Sequence, residues 1–197
     1  MNRTWLYIVG CALLAIIAIM TWLLYQRSAQ HPLPLANGDV ISSWDFKGPY
    51  LDGGTLEAKA REEIERLEGL LGSGKFTDYE IYVSIANQYE LLGDGGNTYA
   101  YLGKAIQEDS ADTTGLAWHN LGVLLSRLGA LQTARIAYEK ATLVEPQISS
   151  YQYAYIEFLI QNMKNDTVAI EKAFGAAAAI FGQTSDMTDL RARWEKL

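Results

Sequence analysis

The chain has a single cysteine, Cys11, among 197 residues, which excludes an internal disulfide. Histidine is almost as scarce. His31 and His119 are the only two, and no Cys/His cluster stands at the spacing of a zinc site. Positive charge is also short. With Arg3 and Arg27 set aside, fourteen basic residues face twenty-three acidic ones, so residues 28–197 carry −9. Nucleic acid is bound through basic stripes, and none is present, so no nucleic-acid partner is expected. No G-x-x-x-x-G-K-[ST] phosphate loop occurs. Gly93-Asp94-Gly95-Gly96-Asn97 is rich in glycine, but it joins two helical stretches without a preceding strand and reads as a turn. Asp109 and Asp112 are loop acids with no polar group in the sequence pattern to support acid–base work. The Asn165-Asp166-Thr167 tripeptide fits a glycosylation acceptor, but Asp166 is more simply a helix cap. No catalytic constellation emerges. No enzymatic activity is expected, and no catalytic, metal-binding or cofactor-binding residue and no cofactor are assigned.

Charge is absent altogether from residues 5–25. Twenty-one residues rising about 1.5 Å each are enough to cross a hydrocarbon core of about 30 Å. Trp5 and Tyr7 stand at one end, and Trp22 and Tyr25 at the other, as interfacial aromatics do. The run is longer than the apolar core of a cleaved signal, and Tyr25-Gln26-Arg27 is a poor cleavage site. An uncleaved single-pass anchor over 1–27 is therefore expected. Ile8-Val9-Gly10-Cys11 resembles a lipid-attachment signal, but the apolar run continues well beyond Cys11, so that residue reads as a small apolar group within the span. Arg3 precedes the span and Arg27 follows it, a nearly even tally. A short N-terminus before a large folded unit favours a signal anchor with the C-terminal domain outside the cytoplasm.

Residues 28–54 contain Pro32, Pro34 and Pro49 and read as a Pro/Gly-rich tether. Within it, Trp44, Phe46 and Tyr50 are unusually aromatic for a spacer. They are expected to pack back onto the domain, with docking on a partner as the alternative. Residues 56–71 predict a helix with Leu56, Ala60, Ile64, Leu67 and Leu71 along one stripe, Glu57–Arg61 and Glu62–Arg66 pairs on the other face, and a stop at Gly72. Thr77 and Glu80 spell a capping box before the next helix, with Phe76 and Ile81 at the staple positions.

The most informative stretch is 115–147. Trp118, Leu121, Gly122 and Leu125 stand at offsets 0, 3, 4 and 7, one face of a helix. Gly129 breaks the run, Ala134, Tyr138 and Ala141 continue it on a second helix, and Pro146 closes it. Gly122 and Ala134 are small where two helices approach. This pattern closely resembles one tetratricopeptide (TPR) repeat, W-x2-L-G-x2-Y followed by A-x3-F and P, with Leu125 and Tyr138 as the departures. Tyr82, Ile85, Ala86 and Tyr89, followed by Thr98, Leu102 and Ala105, repeat the pattern upstream. A degenerate copy downstream is read from Tyr153, Ile156 and Ile160, then Ala169, Ala173 and Ala176, in a register that admits a shift of one residue. The polar run 184–197 reads as a terminal helix with a wet outer face.

The resemblance implies an all-α fold, a helix-turn-helix TPR solenoid of about three repeats behind one transmembrane helix. The helical domain covers 55–197, with repeats at about 79–112, 115–148 and 150–183 plus a terminal helix. It also implies a groove lined by the first helix of each repeat, whose candidate partner-binding residues are Asn87, Glu90, His119, Asn120, Val123 and Arg127. Some chaperone-binding members clamp a terminal carboxylate with cations and two asparagines. Asn87 and Asn120 match those asparagines, but Val83 replaces a lysine and the third repeat supplies no base, so such a clamp is not expected. The functional expectation is a membrane-anchored module that scaffolds a protein or peptide partner at the extracytoplasmic face, with envelope protein assembly as one setting. The alternative is a cytosol-facing, receptor-like TPR protein that binds targeting peptides.

Overall fold

The structure is a computed structural model that describes residues 31–197. The expected span over 5–25 lies outside the described residues. Among the described residues no helix is long and apolar enough to cross a membrane. The chain divides after Pro34, and Leu35–Leu197 forms one compact unit. Within 31–34, Leu33 donates its backbone N–H to His31 Nδ1 at 3.1 Å.

The described residues are all-α, with eight helices and no sheet: α1 Thr55–Glu68, α2 Asp78–Leu92, α3 Gly95–Glu108, α4 Leu116–Arg127, α5 Leu131–Val144, α6 Ser149–Asn162, α7 Thr167–Phe181 and α8 Ser185–Trp194. Each helix from α1 to α6 packs on the next, most extensively within the pairs α2/α3 and α4/α5, and α8 returns to α6.

Local chemistry sets several helix ends. Thr77 accepts from the Glu80 backbone N–H while Glu80 accepts from the Thr77 backbone N–H, so the capping box at α2 is complete. Asp94, Asp166 and Thr184 cap α3, α7 and α8. Gly93 ends α2 in the left-handed region at φ +81°, where a side chain is strained. At α1 the structure departs from the sequence pattern. The helix ends at Glu68 with Gly69 as its C-cap, and Leu56 is left exposed. The Glu57–Arg61 pair forms at 2.8 Å, but Arg66 bonds Glu63 rather than Glu62, with two hydrogen bonds of 2.7 Å. Both spacings place charges side by side on a helix, and the fork of the guanidinium selects the partner it meets with two oxygens.

Packing inside the pairs follows the offsets. Ile85, Ala86, Leu102 and Ala105 are fully buried, as are Leu121, Leu125, Ala134 and Ala141. A Cβ added to Gly122 would lie 2.8–3.0 Å from three ring carbons of Tyr138, so the small residue makes room for that ring. In the third pair the register moves by one. Gln152, Tyr155, Ile156 and Leu159 are buried at the offsets 0, 3, 4 and 7, starting 34 residues after Trp118. Ile170, Phe174 and Ala177 follow on α7, while Ala176 is exposed and Tyr153 turns its hydroxyl to Thr184 at 2.9 Å. Helix α6 meets α5, α7 and α8 and is therefore apolar on more than one face, which blurs its periodicity. Gln152 stands where the middle pair has Trp118, and its amide donates to the backbone carbonyls of Thr142 and Pro146, each at 3.3 Å. The terminal helix buries Met187 and Leu190 and keeps a charged outer side, with Arg191 forking onto Glu171 at 3.0 Å.

Residues 35–54 carry no helix, yet they belong to the same compact unit and lie along the helix turns. Asp39 accepts hydrogen bonds from the backbone N–H groups of Gln132 (3.2 Å) and Thr133 (2.7 Å) and from Thr133 Oγ1 (2.6 Å). Helix α5 has no side-chain cap at its own N-cap residue, Ala130, so Asp39 supplies one from 93 residues away. Burial alone would raise the Asp39 pKa, but the bonds from Thr133 and Gln132 outweigh it and hold the carboxyl below its ordinary value. Such a lowered carboxyl stabilises the fold above its unfolded pKa of about 4, and that contribution is lost as pH falls through the folded value. Asp39→Ala should cost about 1 kcal/mol at neutral pH. Denaturant midpoints would show this, and the difference from wild type should shrink below about pH 4.

Candidate partner-binding face

Helices α2 and α4 open successive pairs and carry all six groove candidates. Asn87 is exposed on α2, with Glu90 half-buried one turn later. Asn120 and Val123 are half-buried on α4, and Arg127 is exposed at its last turn. Two cross-helix bonds join these residues. Asn120 Nδ2 donates to Asn87 Oδ1 at 3.2 Å, and Arg127 Nη1 donates to Glu90 Oε1 at 2.9 Å. The structure thus brings Asn87, Glu90, Asn120 and Arg127 into one polar row, with Val123 between its two bonds along α4. Exposed ion pairs of this kind contribute only about 0–1 kcal/mol, so the row adds little to stability.

His119 sits differently. Its ring stacks on Tyr151 at a centroid distance of 4.9 Å and meets Tyr138 edge-on at 5.8 Å. Its Nδ1 is buried and has no hydrogen-bond partner. Burial lowers its pKa, because the charged imidazolium loses hydration without gaining an acceptor. The residue joins α4 to the aromatic layer of α5 and α6, where Tyr138 in turn packs on Phe158 at 5.0 Å. Tyr138 has its hydroxyl pKa pushed up to about 12, first by burial and then by Glu157.

At the α1 end the row opens into a cleft of about 310 Å³ between α1 and α2. Arg66, Phe76, Glu80, Ser84 and Asn87 are among its lining residues, so Asn87 belongs to both the cleft and the row. At the other end a residue from the N-terminal segment reaches the row. The Phe46 ring lies 4.7 Å from the Arg127 guanidinium carbon. Arg127 is thus held by Glu90 on one helix and by Phe46 from a segment with no helix of its own. The period-3.6 pattern cannot reveal that contact, and the aromatic run 44–50 was its only sequence signal.

The other polar residues singled out by composition are engaged elsewhere. Asp109 accepts from the backbone and hydroxyl groups of both Thr113 and Thr114 at 2.7–3.0 Å. Burial alone would raise its pKa, yet those bonds hold it at about 2. Asp112 pairs with Lys140 at 2.7 Å. Among the described residues no group of three or more His, Cys, Asp or Glu is placed to hold a metal ion.

No known protein-family model matches this chain, and no curated protein matches it in sequence.

Proposed function

We propose that the chain is a membrane-anchored interaction module of TPR type. Residues 5–25 serve as the anchor, α2–α7 as about three helix pairs, and the row from Asn87 to Arg127 as the surface that receives a protein partner outside the cytoplasm. The observation that carries this reading is the bonding of Asn87 to Asn120 and of Glu90 to Arg127 across the opening helices of successive pairs. It lines donors and acceptors along one face, where an extended segment can be read by side-chain amides and a guanidinium. Residues at the offsets 3 and 4 are buried in all three pairs, with those at 0 and 7 buried in the second and third and half-buried in the first (Tyr82 and Tyr89), which supports the repeat assignment.

The test is site-specific photo-crosslinking in intact membranes. A crosslinker at Val123 should trap a discrete partner, and one at the exposed Ile136 on α5 should not. Equal yields from both positions would sink the assignment of the face. In the same membranes the full chain should remain in the pellet after alkaline carbonate extraction. Protease added to sealed cells or spheroplasts reports on which side the domain lies, and digestion only after lysis would favour the cytosol-facing reading.

A further inference from the structure

Residues 44–50 behave as a strand with no sheet. Trp44, Phe46 and Tyr50 are half-buried and Gly48 is buried, while Asp45, Lys47 and Pro49 are exposed. That alternation has period 2, as in a strand lying on one surface. The surface is the α2–α3 turn. Phe46 donates its N–H to the Gly93 carbonyl, Gly95 donates to the Trp44 carbonyl, and Tyr50 donates to the Leu91 carbonyl, each at 2.9 Å. Asp45 and Asp94 form an antiparallel bridge. Trp44 meets Tyr99 at a ring distance of 5.0 Å, and Phe46 lies on Arg127.

Two glycines are required by this docking and by nothing in their own backbone conformation. A Cβ on Gly95 would lie 2.4 Å from the Trp44 carbonyl oxygen. One on Gly48 would lie 2.3 Å from Gly93 N and from the Leu91 carbonyl oxygen. Neither glycine has a positive φ, so each is a contact residue on one side of a backbone-to-backbone fit. Exposed linkers flank the strand, and Gly38 and Gly53 within them have positive φ and open space around them.

We propose that the α2–α3 turn is a peptide-binding edge and that residues 44–50 are its built-in ligand. Their release hands Arg127 and Glu90 to an extended partner segment carrying the same aromatic-x-aromatic-x-glycine pattern. Main-chain bonds hold such a segment, the Tyr99 and Arg127 contacts select its aromatics, and the close approach at Gly93 selects its glycine. The partner clause rests on the functional reading of the row above; the peptide edge itself does not.

The test uses the full chain in detergent micelles and a labelled synthetic peptide of residues 42–51. Trp44→Ala with Phe46→Ala loosens the internal strand and leaves the bed intact. That variant should bind the peptide at least about tenfold more tightly than wild type, whose own strand competes at a high effective concentration. A peptide carrying Gly48→Ala, or a chain carrying Gly95→Ala as a third change, should lose binding. A folded double variant that binds no better than wild type, or that takes the altered peptide equally well, would overturn the proposal. Should the double variant not fold, hydrogen exchange on wild type decides. The amides of Phe46, Tyr50 and Gly95 should exchange at least about a hundredfold faster than those of Leu121 and Leu125, because a releasable strand opens without global unfolding. Equal protection would make the strand a fixed part of the fold and end the idea. Peptide binding without crosslinking at Val123 would remove the partner row and leave the edge standing; the reverse result would do the opposite.

Discussion

Gly122→Leu is expected to unfold the helical unit at temperatures where wild type remains folded. Three ring carbons of Tyr138 lie within 3.0 Å of where even a Cβ would sit. The ring has no room to retreat, because Tyr138 packs on Phe158 and meets the His119 edge. Overpacking a core typically costs about 1–3 kcal/mol, and a leucine forced between two helices belongs at the upper end or beyond. In a unit of this size each kcal/mol lowers the melting temperature by roughly 2–4 °C, so the drop should be roughly 6–12 °C or a complete loss of cooperative melting. Helix pairs stacked in sequence pass the damage to their neighbours. Pairing the change with Tyr138→Leu should recover part of the loss, since the smaller side chain gives way. A double-mutant cycle that shows no coupling would contradict this packing.

The second large effect is a pH dependence carried by His119. Burial holds its folded pKa below the unfolded value of about 6.5. The unfolded chain therefore binds the proton first as pH falls. Stability from this residue is fully present above about pH 6.5 and declines as pH drops from there toward the folded pKa, by at most about 1.4 kcal/mol per pH unit for one proton. The charges around its aromatic layer are engaged elsewhere, Glu90 with Arg127, Glu157 with Arg193 and Glu145 with the Gly115 N–H, and Nδ1 has no acceptor. His119→Phe keeps a ring against Tyr151 and removes the titrating group. Denaturant midpoints between pH 7 and pH 5 should slope downward for wild type and stay flat for the variant. Asp109, held at about 2, contributes a separate acid limb in both proteins. Its stabilisation is present above about pH 4 and lost as pH falls toward 2. Identical slopes for the two proteins between pH 7 and pH 5 would place the titration elsewhere.

The amino-acid sequence by itself determined the parts of this protein that depend on near neighbours. The capping box at Thr77 and Glu80, the Asp166 cap and the Gly93 stop are interactions within a few residues, and each is present. The offsets around Trp118 and Tyr82 identify the faces that become buried, because a helix repeats its surface every 3.6 residues whatever surrounds it. Gly122 was legible for the same reason, although its contact, the Tyr138 ring, comes from the next helix. The polar row was legible position by position. That Asn87 bonds Asn120 and Glu90 bonds Arg127 was not, since those pairs lie 33 and 37 residues apart.

Only the tertiary structure decided the rest. The register of the third pair depended on which of several apolar faces of α6 its three neighbours cover. The TPR resemblance names His119 among the groove residues, and the rings of Tyr138 and Tyr151 that hold it in an aromatic layer come from the two helices that follow. Residues 35–54 have the composition of a spacer, but Asp39 meets an uncapped helix start 93 residues on, and Gly48 and Gly95 let two backbones touch. Long-range pairing of this kind leaves no period in a sequence. It becomes visible only when the helices have placed an N-terminus and a turn where the strand can reach them.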